Sequence, residues 1–75
     1  MGNKTADKMH IGERAVIDRL EIGGSMRRRL LDIGLTSDTE VECVLENKSG
    51  DTKAYLICGA VIAIRTQDGK HIYLK

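Results

Sequence analysis

The chain of 75 residues has no proline, no tryptophan and no phenylalanine, and its aromatic side chains are two tyrosines. Without large aromatics the core must be filled by aliphatic side chains, and the Val, Ile and Leu that dominate here favour strands. Two tyrosines are a poor platform for stacking bases, which argues against a single-strand nucleic-acid binder. Charge of one sign is missing too. Lys and Arg number 12 against 11 acidic residues, a formal net charge of +1, without the basic excess of a general nucleic-acid protein. No apolar run approaches the ~20 residues of a membrane span. The N-terminus has no hydrophobic signal region, and Ala6 stands where a myristoylation motif needs Ser or Thr. With only two isolated cysteines, Cys43 and Cys58, these absences predict a cytoplasmic protein.

Catalytic signatures are also lacking. Gly23-Gly24 has half the look of a phosphate loop, but no Lys-Ser/Thr follows, so the chain carries no Walker motif. His10 and His71 have no neighbouring nucleophile, and no nucleophile, base and orienting acid can be assembled into a triad. A structural zinc site needs about four closely spaced ligands. Cys43 and Cys58 are far apart and the histidines do not cluster with them. The expectation is no enzyme activity, no cofactor and no tight metal site. At most, a weak surface Fe²⁺ contact is expected at Glu40, Glu42 and Glu46, whose alternation on one strand face otherwise reads as solvation.

A chain this short supports one domain and buries only ~60% of its unfolded surface. Residues 1–9 are polar and aperiodic and are expected to form a flexible tail, leaving a single domain over residues 10–75. Within it, Ala15-Val16-Ile17 reads as a short strand. Ser25 is a fitting N-cap, and Met26, Leu30 and Ile33 share one helical face, so a helix is expected over residues 25–33. Gly34 suits the left-handed position after it, with Leu35 folding back on Leu30. Thr39 to Glu46 alternates as a half-buried strand with Val41, Cys43 and Leu45 on one face. Asn47 to Asp51 is a hairpin loop by composition. Thr52 to Cys58, Ala60 to Thr66 and His71 to Lys75 read as further strands. About five short strands with turns between them suggest a mainly-β protein, a small antiparallel barrel or sandwich, with one inserted α-helix.

These elements carry a resemblance. The helix Met26-Arg27-Arg28-Arg29-Leu30-Leu31-Asp32-Ile33-Gly34-Leu35, the strand Thr39-Glu40-Val41-Glu42-Cys43-Val44, the segment Gly59 to Arg65 and the close at Ile72 to Leu74 resemble the FeoA family. The resemblance spans Gly12 to Leu74. It implies an SH3-like barrel and a role beside a ferrous-iron membrane transporter that carries a cytoplasmic GTPase domain. A related domain forms the C-terminus of iron-dependent repressors, so a metal-responsive regulatory module is the alternative. An RNA-binding small barrel is a second one. Two departures stand out. Asp38 occupies a position that is often glycine, and Leu56 and Cys58 fall where polar residues are usual.

Arg27, Arg28 and Arg29 form the sharpest candidate site. They lie on the helix side away from its apolar face and crowd the positive end of the helix dipole, at a cost of ~0.3–1 kcal/mol each. An Arg28–Asp32 pair would recover only part of that. Arginine forks bind carboxylates and phosphates in two-pronged fashion, so the run is expected to face a partner. Arg65 is a second candidate, although an internal ion pair is the more ordinary role for it. Leu56, Cys58 and Tyr73 are expected to line an outward face through which two copies of the chain could pair. Cys43 is expected in the core. Cys58 faces outward if the hairpin pairs Cys43 with Ile57, and a one-residue slip reverses that; the FeoA resemblance implies Tyr55 and Ile57 inward.

Overall fold

The computed structural model describes residues 4–75. After a short 3-10 turn at Ala6–Lys8, the chain forms β1 (Arg14–Leu20), α1 (Gly24–Asp32), β2 (Glu40–Glu46), β3 (Thr52–Ile57), β4 (Ala60–Arg65), the one-turn α2 (Thr66–Gly69) and β5 (Ile72–Leu74). The strands make one antiparallel sheet in the order β4-β3-β2-β1-β5. Every strand contributes to a single core: Ile17 from β1, Val41 and Cys43 from β2, Tyr55 and Ile57 from β3, Ile64 from β4, and Ile72 and Leu74 from β5. The sheet therefore wraps around one apolar centre, which Leu30 and Leu35 close from the helix side.

The end of α1 follows its sequence closely. Gly34 takes φ +95°, its N–H donates to Leu31 O at 3.0 Å, and Leu35 N–H donates to Leu30 O at 2.9 Å. This is a Schellman stop, and its two leucines are buried. The start of the helix differs from expectation. The cap is Gly23, with no side-chain bond, rather than Ser25. Gly24 carries φ +68°, a bend glycine makes at little cost, and it moves the helix entry upstream so that Ser25 lies inside. Asp38 takes φ +70°, which explains why glycine is usual there. Its carboxylate accepts a bond from Lys75 Nζ.

β2 corrects a second expectation. Val41 and Cys43 point inward as their alternation requires, but Leu45 is 62% exposed. Val41 pairs with Ile57 and Cys43 with Tyr55, after which the register shifts and Leu45 meets Ala54. The bulge inserts one residue and reverses the faces beyond it. Leu45 consequently turns outward, while Glu46 falls opposite Lys53, off the face of Glu40 and Glu42.

The expectation of a flexible tail over residues 1–9 is overturned for its described part, residues 4–9. Met9 is 0% and Ala6 2% exposed. Thr5 bridges to Tyr73, and Leu74 N–H donates to Lys4 O at 2.8 Å. The segment is held from β3: Lys53 Nζ donates to Asp7 O at 2.7 Å and Met9 O at 2.6 Å, and the Tyr55 hydroxyl donates to Ala6 O at 2.8 Å. Residues 4–9 thus form a strap that completes the core.

Candidate docking surface

The apolar stripe of α1 fixes where its arginines point. Leu30 is buried and Met26 and Ile33 pack partly against the core, which leaves Arg27, Arg28 and Arg29 on the exposed side. The first turn contains no acidic residue to offset Arg27, which closes it, whereas Arg29 lies in the last turn, where the dipole favours a cation. Arg27 Nη1 donates to Leu20 O at 3.3 Å. Among the described residues none of the three has an ion-pair partner. The expected Arg28–Asp32 pair does not form, although both residues border one shallow depression with Gly24, Arg27 and Leu31.

Arg65 ends β4 and is exposed. The internal ion pair considered for it is not present among the described residues. It shares a groove with Arg29, between Met26 of α1, Thr52 of β3, Ala63 of β4 and Asp68 of α2. Folding therefore joins Arg29 to Arg65, residues far apart in sequence, and leaves Arg27 and Arg28 on the adjoining face.

Leu56, Cys58 and Tyr73 are not brought together. Leu56 lies on β3 and Tyr73 on β5, with β2 and β1 between them. Tyr73 instead lies beneath the Arg19 guanidinium, 4.2 Å from its ring centre. Cys58 is outside any strand: Cys58 and Gly59 take φ +51° and +83° as the two-residue turn between Ile57 and Ala60, which pair. Leu56 has a different set of neighbours. It sits between Glu42 and Val61 on the outward face, and one step along the sheet Leu45, Ala54 and Ala63 are aligned in the same way. This apolar outer face across β2, β3 and β4 ends at Arg65 opposite Thr52. Sequence reading missed it because Leu45 reaches it only through the bulge.

Both cysteines are free. Cys43 is 0% exposed, and burial pushes its thiol above the ordinary range. Exposed Cys58 directs its Sγ toward Gly34 O, 3.8 Å away. Among the described residues no three His, Cys, Asp or Glu side chains gather as a metal site. Glu42 is engaged by Arg14 Nε at 3.3 Å.

The FeoA domain family matches residues 4–75. This chain belongs to the FeoA family. No curated protein sequence matches it. Solved structures agree in fold. The FeoA protein from Chlorobium tepidum superposes with a TM-score of 0.89 at 21% identity, over 95% of this chain and 68% of that one. FeoA of Stenotrophomonas maltophilia gives 0.81 at 18% identity over 96% and 89% of the two chains. That protein was solved with zinc and is described as a prokaryotic SH3 domain protein, a possible activating factor of bacterial ferrous iron transport. A manganese-dependent transcriptional repressor, in complex with manganese, gives 0.83 at 14% identity over 96% of this chain but 36% of the repressor. The fold of the present FeoA domain is thus the SH3-like one. No helix among its described residues is long and apolar enough to cross a membrane.

Proposed function

We propose that this FeoA-family protein is a small, non-enzymatic, cytoplasmic accessory module of a bacterial ferrous-iron transport system. It docks on the cytoplasmic GTPase-bearing region of the membrane transporter and modulates uptake. The observation that carries this reading is the exposed arginine surface of α1, without ion-pair partners among the described residues. Guanidinium groups left without such partners suit a partner's carboxylates. The family match supplies the iron-transport context.

The test is charge reversal with Arg27→Glu/Arg28→Glu. Both side chains lie off the apolar stripe, and surface changes of this kind alter stability by less than ~0.5 kcal/mol. An arginine at an interface is worth ~2 kcal/mol or more. The expected outcome is an unchanged thermal melt with binding to the transporter's cytoplasmic region weakened at least ~30-fold. Equal affinity would leave the arginines as a solvated face. The repressor likeness favours a second reading, a metal-responsive regulatory module. Calorimetry on reduced protein separates the two, since one equivalent of Fe²⁺ or Mn²⁺ bound at submicromolar affinity would favour the regulator.

A further inference from the structure

An antiparallel sheet in the order β4-β3-β2-β1-β5 has two terminal strands, and this molecule treats them differently. The β5 edge is dressed by the N-terminal strap, through the Thr5–Tyr73 bridge and the Leu74 N–H bond to Lys4 O. The β4 edge has α1 beside it, Gly34 against Cys58 at one end and Met26 and Arg29 across a groove from Ala63 and Arg65 at the other, but no backbone partner. Among the described residues, Ala60–Ile64 have no backbone pairing beyond that with β3. Proteins protect open edges with lysine, proline, a bulge or a covering segment. β4, Ala-Val-Ile-Ala-Ile-Arg, carries no lysine or proline, and its register with β3 runs unbroken over all six residues. It is a regular strand with a row of free donors and acceptors, flanked by exposed Val61 and Ala63.

The surroundings of that edge carry charge of one sign in excess. The groove beside it runs between β4 and α1 and is bordered by Arg29 and Arg65, against the single carboxylate of Asp68. Neither arginine has an ion-pair partner among the described residues. An extended chain laid along β4 would alternate its side chains between faces. Those on the outward face would continue the apolar stripe at Val61 and Ala63 and then reach Arg65.

The geometry points to β4 as a strand-addition site: an extended acidic segment of a partner protein pairs with its free edge, setting apolar side chains against Val61 and Ala63 and carboxylates against Arg65 and Arg29. Main-chain hydrogen bonds supply the affinity in this mode, and alternate side chains supply the choice of sequence. The inference deepens the docking reading and rests on it for the identity of the partner. Its own test needs only the isolated 75-residue chain.

The probe is a blocked hexapeptide Glu-Thr-Val-Thr-Val-Thr, whose Glu and two Val share one face as Arg65, Ala63 and Val61 do, followed by amide NMR and hydrogen exchange. Shifts at Ala60–Arg65 and Arg29, with slowed exchange of the β4 amides, are the expected result. The Lys-Thr-Val-Thr-Val-Thr peptide should bind at least about tenfold more weakly, and Arg29→Glu/Arg65→Glu should reverse that preference. N-methylation of alternate peptide amides should abolish binding, because it removes the pairing donors. Four outcomes would overturn the proposal. They are shifts confined to Arg27 and Arg28, equal binding of the N-methylated peptide, complete competition by inorganic phosphate or a single-stranded oligonucleotide, or a peptide-free dimer with protected β4 amides. If the peptide fails while Arg27→Glu/Arg28→Glu still abolishes transporter binding, strand addition is removed and the docking reading stands.

Discussion

Lys53 is 7% exposed, a rare environment for a lysine, and it is satisfied by two neutral carbonyls of the strap rather than by a carboxylate. Tyr55 stands two residues along the same inner face and binds a third carbonyl, that of Ala6. The FeoA resemblance made Tyr55 legible as an inward residue, since alternation alone left the register of its strand open. It did not reveal what the hydroxyl or the Lys53 amine bonds to, because their partners are backbone atoms of a segment whose polar composition reads as a tail. Burial, reinforced by the nearby Cys43, Asp7 and Glu46, pushes the Tyr55 phenol well above its ordinary value. The sign of the pH effect follows. Above pH ~10 the unfolded state releases this proton and the folded state keeps it. The stabilisation from Tyr55 is therefore complete below pH ~10 and lost progressively above it. At pH 8 the Tyr55→Phe variant should be less stable by about 1–2 kcal/mol, the effect of a buried hydrogen bond. Between pH 9 and 11.5 the gap between the two melting temperatures should narrow. A gap constant across that range would show that the phenol titrates normally.

The elements differ in how far local sequence decides them. The end of α1 was readable, because Gly34 and Leu35 follow a well-spaced apolar stripe and the stop is made from residues within one turn. Its start was not, because Ser25 competes with a glycine pair whose freedom lets the chain bend earlier. The turn at Cys58-Gly59 hid inside two apolar strands: both residues take positive φ, as a tight hairpin requires, but cysteine gives no turn signal of its own. The β2 bulge is invisible locally, since the extra residue is defined only against β3. These two turns meet in space. A Cβ at Gly34 would lie 3.1 Å from Cys58 Sγ, so the helix stop and the hairpin tip are packed together. Gly34→Ala should cost about 1–2 kcal/mol from the left-handed backbone alone, and more from the sulfur. Adding Cys58→Ala should recover the steric part and leave the backbone part. Urea titration of the single and double variants measures both. An additive double variant would mean the Sγ moves aside freely and the two turns are independent.

At the scale of the whole molecule, the strap and the sheet need each other. The core draws on every strand, yet a chain of this size buries a marginal fraction of its surface, and Met9 and Ala6 supply two of its wholly enclosed side chains. Burying a Met side chain stabilises by roughly 1.5–3 kcal/mol. Without the strap, Lys53 and Tyr55 would also lose their hydrogen bonds to it, about 0.5–1.5 kcal/mol net for each bond. Those figures are comparable with the ~4–11 kcal/mol expected for the total stability of a domain this long. A version comprising residues 10–75, the domain that the sequence alone suggests, should accordingly be unfolded or nearly so at 37 °C. Met9→Ala in the full chain keeps the comparison measurable, with an expected loss of about 2–5 kcal/mol. The strap also covers the β5 edge, so its removal should expose a second unpaired strand edge besides that of β4 and promote association. Urea unfolding with parallel sedimentation reads both effects. If residues 10–75 unfold at the same urea midpoint as the full chain and remain monomeric, the strap is only laid on a domain that is complete without it.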